Sequence, residues 1–226
     1  MITVTNLSKS YGKKEVLKDV SFILEPSKVY GIVGSNGAGK TTLFRCIAGL
    51  ESYNGHIHAD RTPLKNYLGL LPADPYFPSK LTGEEYIYLL ADARGIQVTD
   101  LEERNIFQLP LREYASEYST GMKKKLALTA ILLQRNRYFI LDEPYNGIDF
   151  ESALILTSII SKLRSLGKTV LISSHIFSTL KECCDQILVL ENGQTGNMIA
   201  HDAFDELEDK MKKSAIRKDI DKLIEG

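Results

Sequence analysis

The segment Gly34–Thr42, which reads Gly-Ser-Asn-Gly-Ala-Gly-Lys-Thr-Thr, most strongly constrains what this chain can fold into. It matches the pattern G-x-x-x-x-G-K-[ST], in which glycines let backbone N–H groups turn inward around phosphate oxygens. The helix that follows points its positive end at the same anion. We expect Lys40 to reach the β- and γ-phosphates of a nucleotide and the Thr41 hydroxyl to bind Mg²⁺. The other expected phosphate-binding residues are Gly34, Ser35, Asn36, Gly37, Ala38, Gly39 and Thr42.

The alternative is a glycine-rich turn that binds nothing, and the flanking sequence argues against it. Val29–Val33 is a continuous apolar run, as expected of a buried parallel strand, and Lys40–Ala48 has a helical pattern. Further strands are predicted at Ile2–Leu7, Val20–Leu24, Tyr67–Leu71, Tyr138–Leu141, Thr169–Ser173 and Gln186–Leu190. Further helices are predicted at Gly83–Ala93, Asp100–Gln108, Ser119–Gln134, Glu151–Leu166 and about 203–224. The alternation predicts an α/β fold with a mostly parallel sheet, interrupted by a small helical subdomain at about 74–135.

Composition limits the classes of function. The 226 residues carry a net charge of −1 and no long basic run, so no nucleic-acid partner is expected. The dense segment Lys123–Lys125 is predicted to be a solvated helix face. Cys46, Cys183 and Cys184 lack metal-ligand spacing, which suggests a reducing compartment and no structural zinc. Neither a signal peptide nor a membrane span is indicated, so we expect a cytoplasmic protein, and any membrane role would need a partner.

Two carboxylates follow the apolar strand Tyr138–Leu141. Uncompensated charges at a buried strand end are costly, so Asp142 and Glu143 should face a cation or solvent. Taken alone, the pair fits a solvated strand end. Beside a phosphate loop, Asp142 suits a Mg²⁺ contact, direct or through water, and Glu143 suits a general base for an attacking water.

Three more segments occur in a recognisable order. Tyr118-Ser119-Thr120-Gly121-Met122 is similar to a Leu-Ser-Gly-Gly-Gln signature, Asn146–Asp149 follows the acidic strand, and His175 follows the strand Thr169–Ser173. With the phosphate loop, these segments make residues 1–195 resemble the ATP-binding subunit of an ABC transporter. The resemblance implies a P-loop NTPase core in a single domain spanning residues 1–226, with an additional antiparallel β subdomain. We refer to residues 118–122 as the signature segment.

The resemblance also assigns roles. Tyr11 would stack on adenine and Val16 would flank the base, while His175 would act as a switch near the γ-phosphate, with Lys40 and Glu143 as the other catalytic residues. It further implies a head-to-tail homodimer or heterodimer with two ATP molecules between subunits, docked on a separate membrane permease. The residues expected to contact the nucleotide across that dimer are Ser119, Thr120, Gly121 and Asp149. The remaining histidines, His56, His58 and His201, are expected at the surface.

One position departs from the family pattern. Ala73 stands where the family usually has Gln, and alanine cannot coordinate Mg²⁺ or hold water. Asp74 could substitute, water could complete the metal site, or coupling could be altered. Two alternatives stand beside a transport subunit, and Ala73 supports only the second of them. One is an ABC ATPase that acts on nucleic acid or ribosomes, which predicts a basic face or coiled-coil arms. The other is a nucleotide-binding regulatory module with weak hydrolysis.

Overall fold

The computed structural model describes residues 1–216, in which nine strands and seven α-helices are formed. The strands are β1 (Ile2–Tyr11), β2 (Lys14–Leu24), β3 (Val29–Val33), β4 (Asn54–Ala59), β5 (Leu68–Leu71), β6 (Tyr138–Leu141), β7 (Thr169–Ser173), β8 (Gln186–Glu191) and β9 (Gln194–Ala200). The helices are α1 (Lys40–Ile47), α2 (Gly83–Asp92), α3 (Leu101–Arg104), α4 (Thr120–Leu133), α5 (Phe150–Ser165), α6 (Phe177–Cys183) and α7 (Phe204–Ile216).

The strands of residues 1–216 form two sheets. The larger has the order β5-β6-β7-β3-β8-β9, with β9 antiparallel at its edge and the other strands parallel. The smaller is antiparallel, in the order β2-β1-β4. Strand β7 therefore separates β3 from β6, whose carboxyl ends carry the phosphate loop and the acidic pair. Since strands lie about 4.8 Å apart, those two ends are roughly 10 Å from each other.

The larger sheet is covered on both faces, which is why its central strands are apolar throughout. Val29 and Val33 belong to the core that packs against α2 and α4–α7. Tyr30 and Ile32 belong to a second core, shared with α1 and the antiparallel sheet. All five residues of β3 are buried. The predicted fold class, with its mostly parallel sheet, antiparallel sheet and inserted helices, is confirmed.

Strands β3, β6 and β7 have the predicted bounds, whereas three elements were not predicted. Strand β4 has a partly buried isoleucine and a buried alanine among otherwise exposed residues, and pairing with β1 makes it a strand. Strand β9 likewise depends on its pairing with β8. Helix α6 is only seven residues long, too short for a clear helical period.

The helix predicted at Asp100–Gln108 is wrong in extent. Only α3, Leu101–Arg104, is helical, because Asp100 and Gln108 both adopt the left-handed conformation, with φ of 58° and 51°. The Asn105 side chain also bonds to the backbone of Leu109, accepting from its N–H at 2.9 Å and donating to its C=O at 2.8 Å. Such local bonds compete with helix formation.

The inserted helices lie between β5 and β6. Helix α2 begins with a capping box, in which Thr82 Oγ1 accepts from Glu85 N at 3.2 Å and Glu85 Oε2 accepts from Thr82 N at 2.9 Å. It packs against α4, which in turn contacts β5. The division of the chain at about 74–135 stays a prediction. The C-terminal helix predicted at about 203–224 is observed as α7, and residues 217–224 of that prediction lie outside the described residues.

Candidate active site

A cleft of about 690 Å³ opens at the carboxyl edge of the parallel sheet. That volume lies within the range of small-molecule sites in proteins. Twelve of the predicted site residues line it. They are Val16, Asn36, Gly37, Ala38, Gly39, Lys40, Thr41, Thr42, Thr120, Asp142, Glu143 and His175.

The phosphate loop joins β3 to α1 in the predicted way. Gly39, the residue before α1, has φ of 110°, and a Cβ there would lie 2.8 Å from Leu17 Cδ2. A side chain at this position would therefore be both strained and obstructed. The ammonium of Lys40 donates to the carbonyls of Gly34 at 2.7 Å and Ser35 at 3.3 Å. Gly34 and Ser35 do not line the cleft, but their carbonyls hold the lysine that does.

The start of α1 is hydrogen-bonded to the end of β6. Thr41 Oγ1 donates to Asp142 Oδ2 at 2.6 Å, and Ser173 Oγ donates to Asp142 Oδ1 at 2.6 Å. Asp142 is 2% exposed and Ser173 is fully buried. Both carboxylate oxygens are thus held by hydroxyls, one from the first turn of α1 and one from the end of the neighbouring strand β7. The buried charge is stabilised in a fixed orientation.

Glu143 follows immediately in the left-handed conformation, with φ of 48°. Its N–H donates to Ser173 Oγ at 2.9 Å, and its Oε2 accepts from the backbone N–H of His175 at 3.1 Å. The His175 ring Nε2 lies 3.0 Å from Oε1, but the two atoms are not aligned as a hydrogen bond. Within the described residues, Oε1 is therefore a buried acceptor without a hydrogen-bond donor, at the wall of the cleft.

Tyr11 lies outside the cleft that the predicted phosphate-binding residues line. It ends β1, is 45% exposed, and is not among the residues that line the cleft, although Val16 is. The Lys9 ammonium lies 4.8 Å from the centroid of its ring. One face of the ring is thus covered by a cation held at 3.1 Å by Glu51. The adenine contact of Tyr11 stays a prediction.

The signature segment begins α4 and faces outward. Ser119 is the N-cap, with its Oγ accepting from Met122 N at 3.2 Å, and Ser119 and Thr120 are both exposed. Thr120 borders the cleft, whereas Ser119 and Gly121 do not. A Cβ on Gly121 would lie 2.5 Å from the Gly147 carbonyl oxygen, so α4 starts in close contact with the loop after Glu143.

Asp149 caps α5 at the end of that loop. Its Oδ1 accepts from Ser152 N at 2.8 Å, and its Oδ2 lies 3.2 Å from the Lys125 ammonium. The bonds from the Ser152 backbone and hydroxyl, followed by the bond from Lys125, hold the pKa of the Asp149 carboxyl well below its ordinary value. Asp149 does not line the cleft, so its predicted nucleotide contact requires a second chain.

Sequence reasoning missed three cleft or cleft-supporting residues. Lys14 lines the cleft beside Val16, and nothing in the local pattern indicates it. Ser173 ends a predicted buried strand at the same edge as Asp142, which is the signal that would have identified it. The solvated face predicted for Lys123–Lys125 is wrong for Lys124, which is 3% exposed. Lys124 shares its helix stripe with the buried Ala127, Leu128 and Ile131, at the i, i+3, i+4, i+7 spacing.

A family model described as ABC transporter matches residues 17–146, more than half of the chain. The chain belongs to the ABC transporter family. The ABC-type transporter ATP-binding protein EcsA of Bacillus subtilis is 31% identical over 209 residues, covering 86% of this chain and 85% of EcsA. A solved ATP-binding subunit of an ABC transporter is 27% identical, with a TM-score of 0.80 over 96% of this chain and 95% of that one.

A further ABC structure shares the fold. It is the dimeric ATP-binding cassette MJ0796 bound to ADP and phosphate, 20% identical, with a TM-score of 0.79 over 89% of this chain and 99% of that chain. As an ABC transporter ATP-binding protein, this chain binds ATP and is an ATPase. Within residues 1–216, no helix combines the length and the apolar character that crossing a bilayer requires.

Proposed function

We propose that this ABC ATPase powers transport through a separate membrane permease, by hydrolysing ATP between two subunits arranged head to tail. The observation that carries the proposal is the hydrogen-bonded series Thr41–Asp142–Ser173–Glu143, which ends against His175 at the wall of the cleft. It joins the helix that follows the phosphate loop to the carboxylate suited to activate water.

The phosphates of ATP would lie in the curve of residues 34–42. The first backbone N–H groups of α1 have no partner within the helix, and its dipole favours an anion there. Lys40 would exchange its two carbonyl contacts for the β- and γ-phosphate oxygens. Val16 would flank the base and Tyr11 would stack on it, an interaction worth about 1–3 kcal/mol in comparable contacts.

The oxygens of Thr41 and Asp142 fit a magnesium site. They lie 2.6 Å apart, both are hard ligands, and the Asp142 charge is buried beside the phosphate loop. Mg²⁺ bound there would neutralise charge on the transferred phosphoryl group. Ala73 lines the same cleft without a ligand atom, and Asp74 lines it next to Ala73, so the remaining coordination would come from phosphate oxygens and from water or the Asp74 carboxylate.

Glu143 is proposed as the general base. Its Oε1 is buried, lacks a hydrogen-bond donor among the described residues, and belongs to a carboxylate fixed by the His175 backbone. A water that donates to Oε1 would be oriented for attack on the γ-phosphorus, with its proton passing to Glu143. The His175 ring, 3.0 Å from the same oxygen, would turn towards the γ-phosphate.

The second subunit would complete the site. Ser119 and Thr120 lie at the exposed N-terminus of α4, where the first backbone N–H groups lack partners within the helix and the helix dipole suits an anion. In a head-to-tail dimer this end would contact the γ-phosphate held by the partner, with Gly121 and Asp149 supporting the approach. The ATP-binding cassette MJ0796, which shares this fold, is dimeric with ADP and phosphate bound, and this supports a dimer for the present chain.

Coupling to a permease follows from the family name of the relatives rather than from a site within this chain. The protein would lie on the inner face of the membrane, attached through that permease. The helical insertion around α2 and α4 would carry movement outward, because α4 joins the signature segment to the rest of the insertion.

The test is the variant Glu143→Gln. It should bind MgATP without turnover and accumulate as an ATP-bound dimer, seen by size-exclusion chromatography with light scattering. Lys40→Ala is the matched control, because it removes the cation expected to hold the phosphates and should therefore yield neither turnover nor dimer. A Glu143→Gln protein that stays monomeric in saturating MgATP contradicts the dimer, and unchanged turnover contradicts the assignment of the base.

A further inference from the structure

Lys124 is a buried lysine that the phosphate-binding and hydrolysis machinery described above does not use. It is 3% exposed, on the apolar stripe of α4, and its ammonium donates to the backbone carbonyl of Glu143 at 2.6 Å. It also lines the cleft. The contact joins the helix that begins at the signature segment to the residue proposed as general base, 19 positions away in sequence.

An apolar residue at this position would cost less to bury. Burial lowers the pKa of the Lys124 ammonium, and the neighbouring carboxylates of Glu143, Asp142 and Asp74 oppose that shift. A lysine placed among these groups balances part of their charge. The neighbouring carboxylates therefore favour a cation at this position, whereas packing of the core alone would favour an apolar residue.

The backbone of Glu143 is held from both sides. Ser173 Oγ accepts from its N–H at 2.9 Å, and Lys124 Nζ donates to its C=O at 2.6 Å. Between these two contacts the residue has φ of 48°, a conformation that is uncommon outside glycine and asparagine. A strained backbone conformation persists only where surrounding contacts hold it in place. Here the held conformation sets the direction in which the Glu143 carboxylate points.

We propose that Lys124 is a positioning residue for Glu143. By fixing the carbonyl of Glu143 it fixes the left-handed turn that presents Oε1 to the cleft, and it ties that turn to the helix carrying the signature segment. The base is then aligned only when α4 is correctly seated. This inference rests on the proposed role of Glu143 as the base.

The decisive variant is Lys124→Met, which keeps the length and apolar stem and removes the donor and charge. We expect kcat to fall by about 10- to 100-fold, as when a hydrogen bond to a charged group is lost. The dissociation constant of a fluorescent ATP analogue should stay within about twofold, because Lys124 acts on the base and not on substrate binding. The variant should also accumulate the ATP-dependent dimer, like Glu143→Gln.

Two comparisons separate positioning from a structural effect. Lys124→Arg keeps a charged donor and should regain most of the lost kcat, and Lys123→Met, one residue earlier on α4, should match the wild type. Thermal unfolding of each variant verifies that the protein is folded. Equal kcat for Lys124→Met and wild type overturns the proposal, as does equal kcat for Lys124→Met and Lys124→Arg.

Two further outcomes also decide the question. A weakening of analogue binding as large as the fall in kcat would make Lys124 a substrate-binding residue and overturn the proposal. Normal turnover by Glu143→Gln would instead show that Glu143 is not the general base. A failure of the proposed function is therefore distinguishable from a failure of this inference.

Discussion

Ser173 offers the sharpest test of how the active site is assembled, because one hydroxyl makes two buried hydrogen bonds. It donates to Asp142 Oδ1 at 2.6 Å and accepts from Glu143 N at 2.9 Å, and its side chain is fully buried. In Ser173→Ala the Asp142 carboxylate loses the hydrogen bond from the serine hydroxyl, and a hydrogen bond to a charged group is worth about 1.5–3 kcal/mol. The Glu143 N–H is left unpaired in a buried place, a loss of about 1–3 kcal/mol.

The two losses are not independent, since both arise from the same hydroxyl and water can enter part of the space it leaves. We therefore expect Ser173→Ala to lower the free energy of unfolding by about 2–4 kcal/mol, a large share of the roughly 5–15 kcal/mol typical of proteins. In urea this corresponds to a fall of about 1 M in the unfolding midpoint. Turnover should fall as well, because Asp142 and Glu143 lose their shared support.

The assay is urea unfolding followed by circular dichroism, combined with steady-state ATPase rates on the same preparations. Ser158→Ala is the control, since Ser158 is exposed on α5 and its hydroxyl donates only to Leu154 O at 3.0 Å in its own helix. It should change the free energy of unfolding by less than about 0.5 kcal/mol. If Ser173→Ala is as mild as Ser158→Ala, the account of a hydroxyl that supports both carboxylate residues is refuted.

Two other predictions concern the cleft and the helical insertion. Ala73→Gln should raise the ATPase rate or leave it unchanged, because Ala73 lines the cleft and lacks a ligand atom; a large loss of rate would mean that the site is organised differently from the family pattern. Thr82→Ala should destabilise by about 1 kcal/mol, measured by thermal unfolding, because it removes the capping box that begins α2; unchanged stability would mean that α2 is held by its packing on α4 alone.

The parts of the fold that sequence could predict are those set by local pattern. The buried strands β3, β6 and β7 are continuous apolar runs, and the glycine spacing of residues 34–42 requires a strand–loop–helix junction. Strand β4 depends instead on its pairing with β1, which is distant in sequence, and β9 lies at the edge of the larger sheet. The residues of both strands are mostly polar. The residues of these strands carry no strand pattern of their own, because pairing makes them strands. For β9 the Asn192-Gly193 turn that joins it to β8 is a hairpin signal that was overlooked.

The candidate site was likewise predictable only where a local sequence pattern marks its residues. Asp142 and Glu143 were identified because two carboxylates follow an apolar strand in a chain that also carries a phosphate loop, and Lys40 because of its motif. Lys124 was assigned to a solvated face because its neighbours are charged, although its helical period places it on the buried stripe. Runs of like charge thus mask periodicity, and the period is the stronger guide when the two conflict.

The order of strands explains why Ser173 and not a larger residue occupies the centre of the site. Strand β7 lies between β3 and β6, so its last residue stands between the phosphate loop and the acidic pair. A longer side chain there would have to displace Asp142 or Glu143, since the Ser173 hydroxyl is fully buried in contact with both. A smaller one would leave Asp142 Oδ1 and Glu143 N without a partner. Serine satisfies both groups within the width of one strand, so the order of strands in the sheet contributes to how the carboxylates of Asp142 and Glu143 are held.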